Sequence, residues 1–254
     1  MRPDDRGLLY GDGVFETIQL RPDGPWLLDA HLARMAASAR LLDLPLPPAD
    51  TLVALVGDAT TAWPGEGALR LICTRGPAGG PPTLYATVSP VPEAARRERR
   101  DGVRVITADL GVSVRRRPPW SLSAAKSLSY AANLAARRWA AAQGADDVLW
   151  LSTEGYALES PTASLVWLTG DTLCTVPPEE TGILPGTTAA HLLSRAPELG
   201  LIADRHMIAA ADLGAADGIW LASSLRGLAE VITLDGKPRA RSEWTQRLLR
   251  LLGF

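Results

Sequence analysis

Residues 120–130 read WSLSAAKSLSY and place Lys126 among small and apolar neighbours. An alanine-rich run from Tyr130 to Gln143 follows, and Gly144 marks its end, so this part of the chain predicts a loop that leads directly into a helix. A lysine amine in apolar surroundings loses solvation, which favours its neutral, nucleophilic form. Taken alone, the segment is more typical of a lysine that extends from a helix start into solvent.

Lysine is rare elsewhere in the sequence. Of the 26 basic residues, only Lys126 and Lys237 are lysines. Arginine stays protonated at any physiological pH, so it cannot supply the neutral amine that condenses with a carbonyl group. Lys237 lies in the sequence DGKP, which is typical of an exposed turn. Lys126 is therefore the candidate for amine chemistry.

The composition indicates a globular protein with a small-molecule partner. Hydrophobic residues make up 46% of the 254 residues, charged residues make up 21%, and the formal net charge is -2. The chain can bury a sizeable core, and it lacks the positive charge excess that favours nucleic acid or an anionic membrane surface. We therefore expect a small-molecule substrate, no nucleic acid and no membrane.

The cysteines and the amino-terminal residues predict the cellular location. Cys73 and Cys174 lie about a hundred positions apart and match neither a disulfide framework nor the ligand spacing of a metal site. The first residues, MRPDDRGLLYGDG, lack the apolar core of a secretory signal, and no apolar run approaches the roughly 20 residues of a membrane helix. We expect a cytoplasmic protein with buried, reduced cysteines and no metal site.

Helical and strand patterns alternate along the chain, which predicts an α/β (α+β) fold with two domains. The charged, proline-containing segment from Pro90 to Gly102 suits a domain connection, so we place a small domain at 1–98 and a larger one at 99–254. Asp29 is the expected N-cap of the first helix. The predicted elements are a strand and hairpin over 14–24, helices over 27–44, 49–62, 130–143, from 187 and over 243–252, and strands over 68–74, 83–89, 103–109, 148–152, 164–168, 173–176 and within 218–236.

Three further features are candidate cofactor contacts. The sequence GILPGTT at 182–188 places a glycine-rich turn against a helix start, where backbone N–H groups and the hydroxyls of Thr187 and Thr188 favour a phosphate, although an ordinary helix cap looks similar. Glu159 follows an apolar strand and is either a partner for a pyridinium nitrogen or a solvated charge at a strand end. Arg34, on the polar side of the first helix, is a surface residue by default but is long enough to reach a phosphate.

Six sequence blocks, in order along nearly the whole chain, resemble one family. They are YGDGVFETI at 10–18, HLAR at 31–34 with Ser38, RLICTRG at 70–76, KSLSY at 126–130, ESPTAS at 159–164 and GILPGTT at 182–188. Together they are similar to the class IV aminotransferases, the fold-type IV pyridoxal-phosphate enzymes. The resemblance implies a small N-terminal and a larger C-terminal α/β domain, with pyridoxal 5'-phosphate in the cleft between them. It also implies a homodimer in which each subunit contributes to its partner's active site.

The resemblance assigns roles to individual residues. It implies that Lys126 holds the cofactor as a Schiff base and that Glu159 is the partner of the pyridine nitrogen. The implied phosphate contacts are Arg34, the backbone amides of Thr187 and Thr188, and the hydroxyl of Ser224.

The chain departs from the family pattern at three serines. Ser129 stands where many members have asparagine, Ser160 where they have glycine and Ser164 where asparagine is usual. These positions flank the cofactor in the family, so we expect altered hydrogen bonds around it. The strand that commonly precedes the GDG block is largely missing, and we expect the corresponding edge of the small domain to be built differently.

The same blocks indicate which reaction is favoured. Branched-chain aminotransferases usually read FEGIR where this chain reads FETI at 15–18. D-amino-acid aminotransferases bind the substrate carboxylate with a tyrosine and a PRxH loop, but here the tyrosine position is Phe15 and the loop reads GPAGGPP at 76–82. The blocks look more like the 4-amino-4-deoxychorismate lyases, which form 4-aminobenzoate and pyruvate, on the folate biosynthesis route or in a secondary pathway.

Two alternatives stay open on the sequence. One is a class IV amino-acid aminotransferase of the branched-chain or D-amino-acid type, and the other is a non-catalytic relative that keeps the fold. Arg75, Arg104 and the loop Arg115–Arg117 are candidates for the substrate carboxylates, although each is also typical of an ordinary surface charge.

Overall fold

A four-stranded antiparallel sheet organises the amino-terminal part of the protein. A computed structural model describes residues 2–254. The strands are β1 (Gly13–Arg21), β2 (Gly24–Pro25), β3 (Gly67–Thr74) and β4 (Thr83–Ser89), in the order β2-β1-β3-β4. These bounds confirm the predicted hairpin and the strands over 68–74 and 83–89.

Helices α1 (Arg6–Tyr10), α2 (Leu28–Leu41) and α3 (Ala49–Thr61) accompany this sheet. Long apolar residues recur at helical spacing along α2 and α3, and their inward faces pack on β1 and β3. The buried core they share includes Val14, Ile18, Met35, Ala39, Leu52, Val56, Leu69 and Leu71.

The start of α2 differs from the prediction. Leu27 adopts φ 56°, in the left-handed region, and no side chain caps the helix. The assignment of Asp29 as N-cap is wrong, because the left-handed residue already turns the chain from the β1–β2 hairpin into the helix. Asp29 lies in the first turn, where its charge is favourable near the positive end of the helix dipole.

A mixed sheet organises the remainder of the described chain. Its strands are β5 (Val103–Asp109), β6 (Asp147–Leu151), β7 (Glu159–Ser160), β8 (Ala163–Thr169), β9 (Thr172–Thr175), β10 (Ile202–Arg205), β11 (Gly218–Ser223), β12 (Gly227–Leu234) and β13 (Lys237–Pro238). The order is β10-β9-β8-β11-β12-β5-β6, with β7 beside β8 and β13 beside β12. Strand β5 pairs parallel with β6 and β12, while β8 and β11 pair antiparallel. Leu165, Trp167, Leu221 and Val231 are buried in its core.

The helices of this part are α4 (Glu93–Asp101), α5 (Ala131–Ala142), α6 (Pro178–Thr181), α7 (Thr187–Arg195), α8 (Ala210–Leu213) and α9 (Trp244–Leu251), with a 3-10 turn at Ala196–Leu199. Helix α4 occupies most of the predicted connection over 90–102, so this segment is helical, and its role as a domain connection stays a prediction. Alanine, glutamate and arginine are good helix formers, and Ala95 and Glu98 are buried on its inner side.

By their contacts, the described residues form two compact units. The first contains the residues up to Glu93 together with Leu122–Ala131, and the second contains Ala94–Ser121 and Ala132–Phe254. These contacts do not test whether each unit folds as an independent domain. The domain boundary between residues 98 and 99 therefore stays a prediction. Within residues 2–254 no helix is long and apolar enough to cross a membrane.

Candidate active site

Lys126 is held against strand β1 by backbone hydrogen bonds. Its N–H donates to Oγ of Ser38 on α2 at 3.0 Å, and its carbonyl accepts from the N–H of Phe15 at 3.0 Å. The N–H of Leu128 donates to the carbonyl of Gly13 at 2.9 Å. A Cβ at Gly13 would lie 2.8 Å from a methyl carbon of Leu128, so the glycine of the GDG block permits this close approach. The lysine backbone is therefore fixed to the first unit.

The amine of Lys126 lies beside two aromatic rings. Nζ is 3.4 Å from the hydroxyl oxygen of Tyr130 and 4.6 Å from the ring centroid of Phe15. The two rings meet edge to face, with centroids 5.1 Å apart. The side chain is half-buried, so the amine is partly desolvated while still accessible to a ligand.

A buried charged cluster joins strand β1 to α2, the helix that carries Ser38. Arg34 donates from Nε to Oε1 of Glu16 at 2.8 Å and from Nη2 to Oε2 at 2.6 Å. Nδ1 of His31 is 2.7 Å from Oε2 of Glu16, and it carries the proton because a carboxylate can only accept. Glu16 and His31 are fully buried, and the Arg34 side chain is 9% exposed. The cluster fixes the orientation of Arg34.

The protonation states of this cluster follow from its geometry. Burial acts to raise the pKa of Glu16, but the charge of Arg34 and the hydrogen bonds from Arg34 and His31 outweigh it and lower the pKa to about 2. Burial lowers the pKa of His31, and the charge of Lys126 contributes in the same direction. Glu16 is therefore ionised and His31 neutral at physiological pH.

The second unit holds the candidate phosphate site at the start of α7. The helix has Gly186 as N-cap and no side-chain cap, so its first N–H groups have no partner within the helix. Thr188 is 2% exposed, and its Oγ1 has no hydrogen-bond partner among residues 2–254. A buried hydroxyl without a partner costs about 1–3 kcal/mol, so a ligand that accepts its proton is favoured here. Thr187 is buried beside it. These residues fit a phosphate group.

Glu159 contacts the same loop. Its Oε1 accepts from the N–H of Leu184 at 3.2 Å, which joins β7 to the GILPG turn. Ser164 lies opposite Glu159 on β8, and a Cβ at Gly186 would come 2.0 Å from its Oγ. Ser224 lies in the turn after β11, and Ala222 on that strand pairs with Ser164. The structure thus joins Glu159 to the turn that precedes Thr187 and Thr188, and Ser224 follows β11, the strand that pairs with β8.

The other two family departures are also hydrogen-bonded. Ser129 donates to the carbonyl of Gly11 at 3.3 Å, and Ser160 donates to Oδ1 of Asp147 at 2.8 Å. Gly11 has φ 68° and ends α1, so Ser129 connects the lysine segment to that helix.

The arginines suggested for substrate carboxylates mostly have structural partners. Arg75 donates to Asp12 and to the carbonyls of Leu42 and Asp43. Arg104 forms an exposed ion pair with Asp146, and Arg117 donates to the carbonyl of Glu179.

Sequence reasoning missed Arg70 as a candidate. Its guanidinium Cζ lies 5.3 Å from the ring centroid of Phe15, whose ring also contacts Lys126. Arg70 is exposed and has no ion-pair partner in the described part of the chain. The sequence feature that indicates Arg70 is its place in the RLICTRG block. It lies two residues before Ile72, which pairs with Phe15 in the sheet, so both side chains of β3 point to the same face.

Comparisons with known proteins identify the family of this chain. A family model described as amino-transferase class IV matches residues 13–234. The bifunctional aminodeoxychorismate lyase / D-amino acid transaminase of Mycobacterium tuberculosis is 43% identical over 95% of this chain and 88% of its own length. The PLP-bound structure of a hypothetical aminotransferase from M. tuberculosis has a TM-score of 0.95 and 42% identity, covering 100% of this chain and 92% of that one. A fold IV transaminase from Curtobacterium pusillum has a TM-score of 0.90 and 40% identity, with coverages of 100% and 88%.

Proposed function

The chain belongs to the class IV aminotransferase family of pyridoxal-phosphate enzymes, and from that premise we propose that it is a lyase that converts 4-amino-4-deoxychorismate into 4-aminobenzoate and pyruvate. The observation that carries the proposal is the Phe15 ring, 4.6 Å from Nζ of Lys126. A phenyl ring cannot donate a hydrogen bond to the carboxylate of an amino acid, but it presents an apolar face to a carbocyclic substrate. The lyase named among the relatives supports the same assignment.

We assign the residues as follows. Pyridoxal phosphate, when bound, supplies an electron sink for the negative charge that develops on the substrate carbon bonded to nitrogen. Lys126 is the attachment point, and its Nζ accepts the proton from that carbon, with the Tyr130 hydroxyl 3.4 Å away to orient the amine. Glu159 would hold the pyridine nitrogen of the bound cofactor. The phosphate contacts are Arg34, the amides of Thr187 and Thr188, and the hydroxyl of Ser224.

The reaction consumes no second substrate. The carbon–oxygen bond to the enolpyruvyl group breaks as the ring loses a proton and becomes aromatic, and pyruvate leaves with that proton. The atoms of 4-aminobenzoate and pyruvate together equal those of the substrate. A transaminase, by contrast, requires a keto acid to complete its cycle.

This difference provides the test of the function. The cofactor-loaded protein is given 4-amino-4-deoxychorismate without any keto acid, and 4-aminobenzoate and pyruvate are measured together. Equal release of the two products over many turnovers is the expected result. Absence of product, with turnover of D-alanine and α-ketoglutarate instead, would reject the lyase. D-amino-acid transamination is the second candidate, because the 43% identical relative carries both activities in its name.

We further propose that Arg70 contacts a substrate carboxylate. Among residues 2–254 it has no ion-pair partner, and it lies against the ring of Phe15, which the Lys126 amine also contacts. Arg70→Gln is expected to raise KM roughly tenfold or more with a smaller change in kcat, since a hydrogen-bonded charge contributes about 1.5–3 kcal/mol to binding. Arg21→Gln is the matched control, because Arg21 also stacks on a ring, that of Trp26, at 4.0 Å. Equal KM values for the Arg70 variant and the native protein would remove Arg70 from the substrate site.

The protein is also proposed to be a homodimer. Leu8, Leu9 and Tyr10 on α1 are 62%, 55% and 67% exposed. Asp5 holds this helix rigidly, because its carboxylate accepts from Thr74 and Thr83 on the sheet. Fixed, exposed apolar side chains are typical of a subunit interface.

A further inference from the structure

Ser224 lies in a tight turn, residues 223–227, which we call the serine turn. The turn joins β11 to β12, with Ser223 paired to Gly227. Gly227 has φ 64°, and a Cβ there would lie 2.7 Å from a ring carbon of Phe254. The turn is therefore closely covered on one side, and its conformation requires glycine at 227.

Helix α4 holds the backbone of the serine turn. Arg99 donates from Nε to the carbonyl of Arg226 at 2.9 Å and from Nη2 to the carbonyl of Leu225 at 2.8 Å. Its Cζ also lies 4.1 Å from the ring centroid of Phe254. The guanidinium is a planar fork, so two hydrogen bonds fix both the distance and the orientation of the carbonyls.

The side chain of Arg226 holds the turn from inside the unit. It is buried, and its Nε pairs with Oε2 of Glu98 at 2.7 Å and its Nη1 with Oδ2 of Asp147 at 3.0 Å. Nη2 donates to Oγ1 of Thr162 at 3.0 Å. Each of the three guanidinium nitrogens thus has a partner, and two buried carboxylates compensate the positive charge.

The same cluster reaches the strand that carries Glu159. Asp147 accepts from Ser160, the residue after Glu159, and Thr162 follows in the β7–β8 hairpin. Asn133 on α5 also donates to the carbonyl of Pro161 in that hairpin, at 2.7 Å. One buried cluster therefore fixes the two elements on which Ser224 and Glu159 lie.

We propose that Arg99 and Arg226 are positioning residues for the cofactor, acting through the serine turn on the Ser224 hydroxyl and, by way of Asp147 and Ser160, on Glu159. The inference rests on the proposed roles of Ser224 and Glu159. A single hydroxyl binds a phosphate oxygen well only if its backbone stays within about 0.5 Å of the productive position, which requires support from surrounding residues. Buried ion clusters contribute little net stability, so geometric control is the function that this one fits best.

The test compares two ligands that differ only in the phosphate. Dissociation constants for pyridoxal phosphate and for pyridoxal are measured on the full chain for Arg99→Gln and Arg226→Lys. Each variant is expected to raise the constant for pyridoxal phosphate roughly tenfold, the loss of about one charge-assisted hydrogen bond. For Arg99→Gln the constant for pyridoxal should change less than about twofold, because pyridoxal has no phosphate for Ser224 to bind. Arg226→Lys should also weaken pyridoxal binding, by a smaller factor, because Arg226 acts in addition on Glu159 and both ligands have the pyridine nitrogen.

Arg239→Gln is the matched control. Arg239 also donates to two backbone carbonyls, those of Gly214 and Ala216, but in a segment away from the serine turn. The Arg239→Gln change should alter neither the dissociation constant for pyridoxal phosphate nor that for pyridoxal. An equal loss for both ligands in Arg99→Gln, or no loss for either ligand in both variants, would overturn the positioning role.

A double-mutant cycle tests the positioning role independently of the proposed lyase function. In a Ser224→Ala background, Arg99→Gln should add less than about a twofold loss of pyridoxal-phosphate affinity, because the two changes remove one interaction. Full additivity, or a Ser224→Ala protein that binds the cofactor normally, would reject the inference. Neither result depends on whether the enzyme is a lyase or a transaminase.

Discussion

The Lys126→Ala protein is expected to lose product release by roughly 10⁴-fold, because it lacks both the attachment point and the proton acceptor of the reaction. Nζ is the amine beside Phe15 and Tyr130, and the only other lysine in the sequence is Lys237. The visible absorption band of the bound cofactor should disappear as well. The measurements are the absorption spectrum and the release of 4-aminobenzoate without a keto acid.

Lys237→Ala is the natural control for this change. Lys237 is exposed in β13. The Lys237→Ala protein should therefore keep both the absorption band of the bound cofactor and the release of 4-aminobenzoate. Added methylamine should restore part of the turnover of the Lys126→Ala protein, since a small amine can enter the space left by the side chain and accept the proton. A Lys126→Ala protein that kept its band and its turnover would show that the chemistry lies elsewhere.

The sequence predicts those elements whose apolar residues repeat regularly. Helix α3 and strand β3 each carry a buried stripe, so their bounds follow within a residue or two. Helix α4 has no such stripe, because one of its inward residues is the charged Glu98. Glu98 is compensated by Arg226, which comes from a turn far along the chain. A local pattern cannot reveal that pairing, so the sequence indicated a connection over 90–102 without indicating that it is helical.

The same limit applies to the site. The GILPGTT turn can be interpreted locally, because a phosphate site at a helix start consists of consecutive residues. Glu16 and His31 belong to a strand and a helix, and only the folded chain shows that both contact Arg34. Arg75 was suggested for a substrate carboxylate, but the fold gives it Asp12 and two carbonyls as partners. Residue type and spacing therefore predicted candidate residues, while their partners required the fold.

Glu16→Gln should strongly destabilise the first unit. The variant leaves the Arg34 guanidinium almost buried without its counter-charge, and removing one member of a buried ion pair costs about 3–5 kcal/mol. The melting temperature should fall by roughly 10 °C. Glu198→Gln is the control, because Glu198 pairs with Arg195 at the surface with 53% of its side chain exposed, and an exposed pair contributes at most about 1 kcal/mol.

The pH dependence of unfolding provides an independent measure of the same pair. The pKa of Glu16 is about 2 in the folded protein, below its ordinary value of 4.5. The ionised carboxylate therefore adds stability at pH values above 4.5, about 3 kcal/mol by linkage, and this stability is lost as the pH falls from about 5 toward 2. His31, whose pKa is lowered by burial, adds to the loss as the pH falls below 6.5. Denaturant titrations across this range should give a steeper decline for the native protein than for Glu16→Gln. Parallel declines would mean that the Glu16–Arg34 pair does not control the acid sensitivity of the fold.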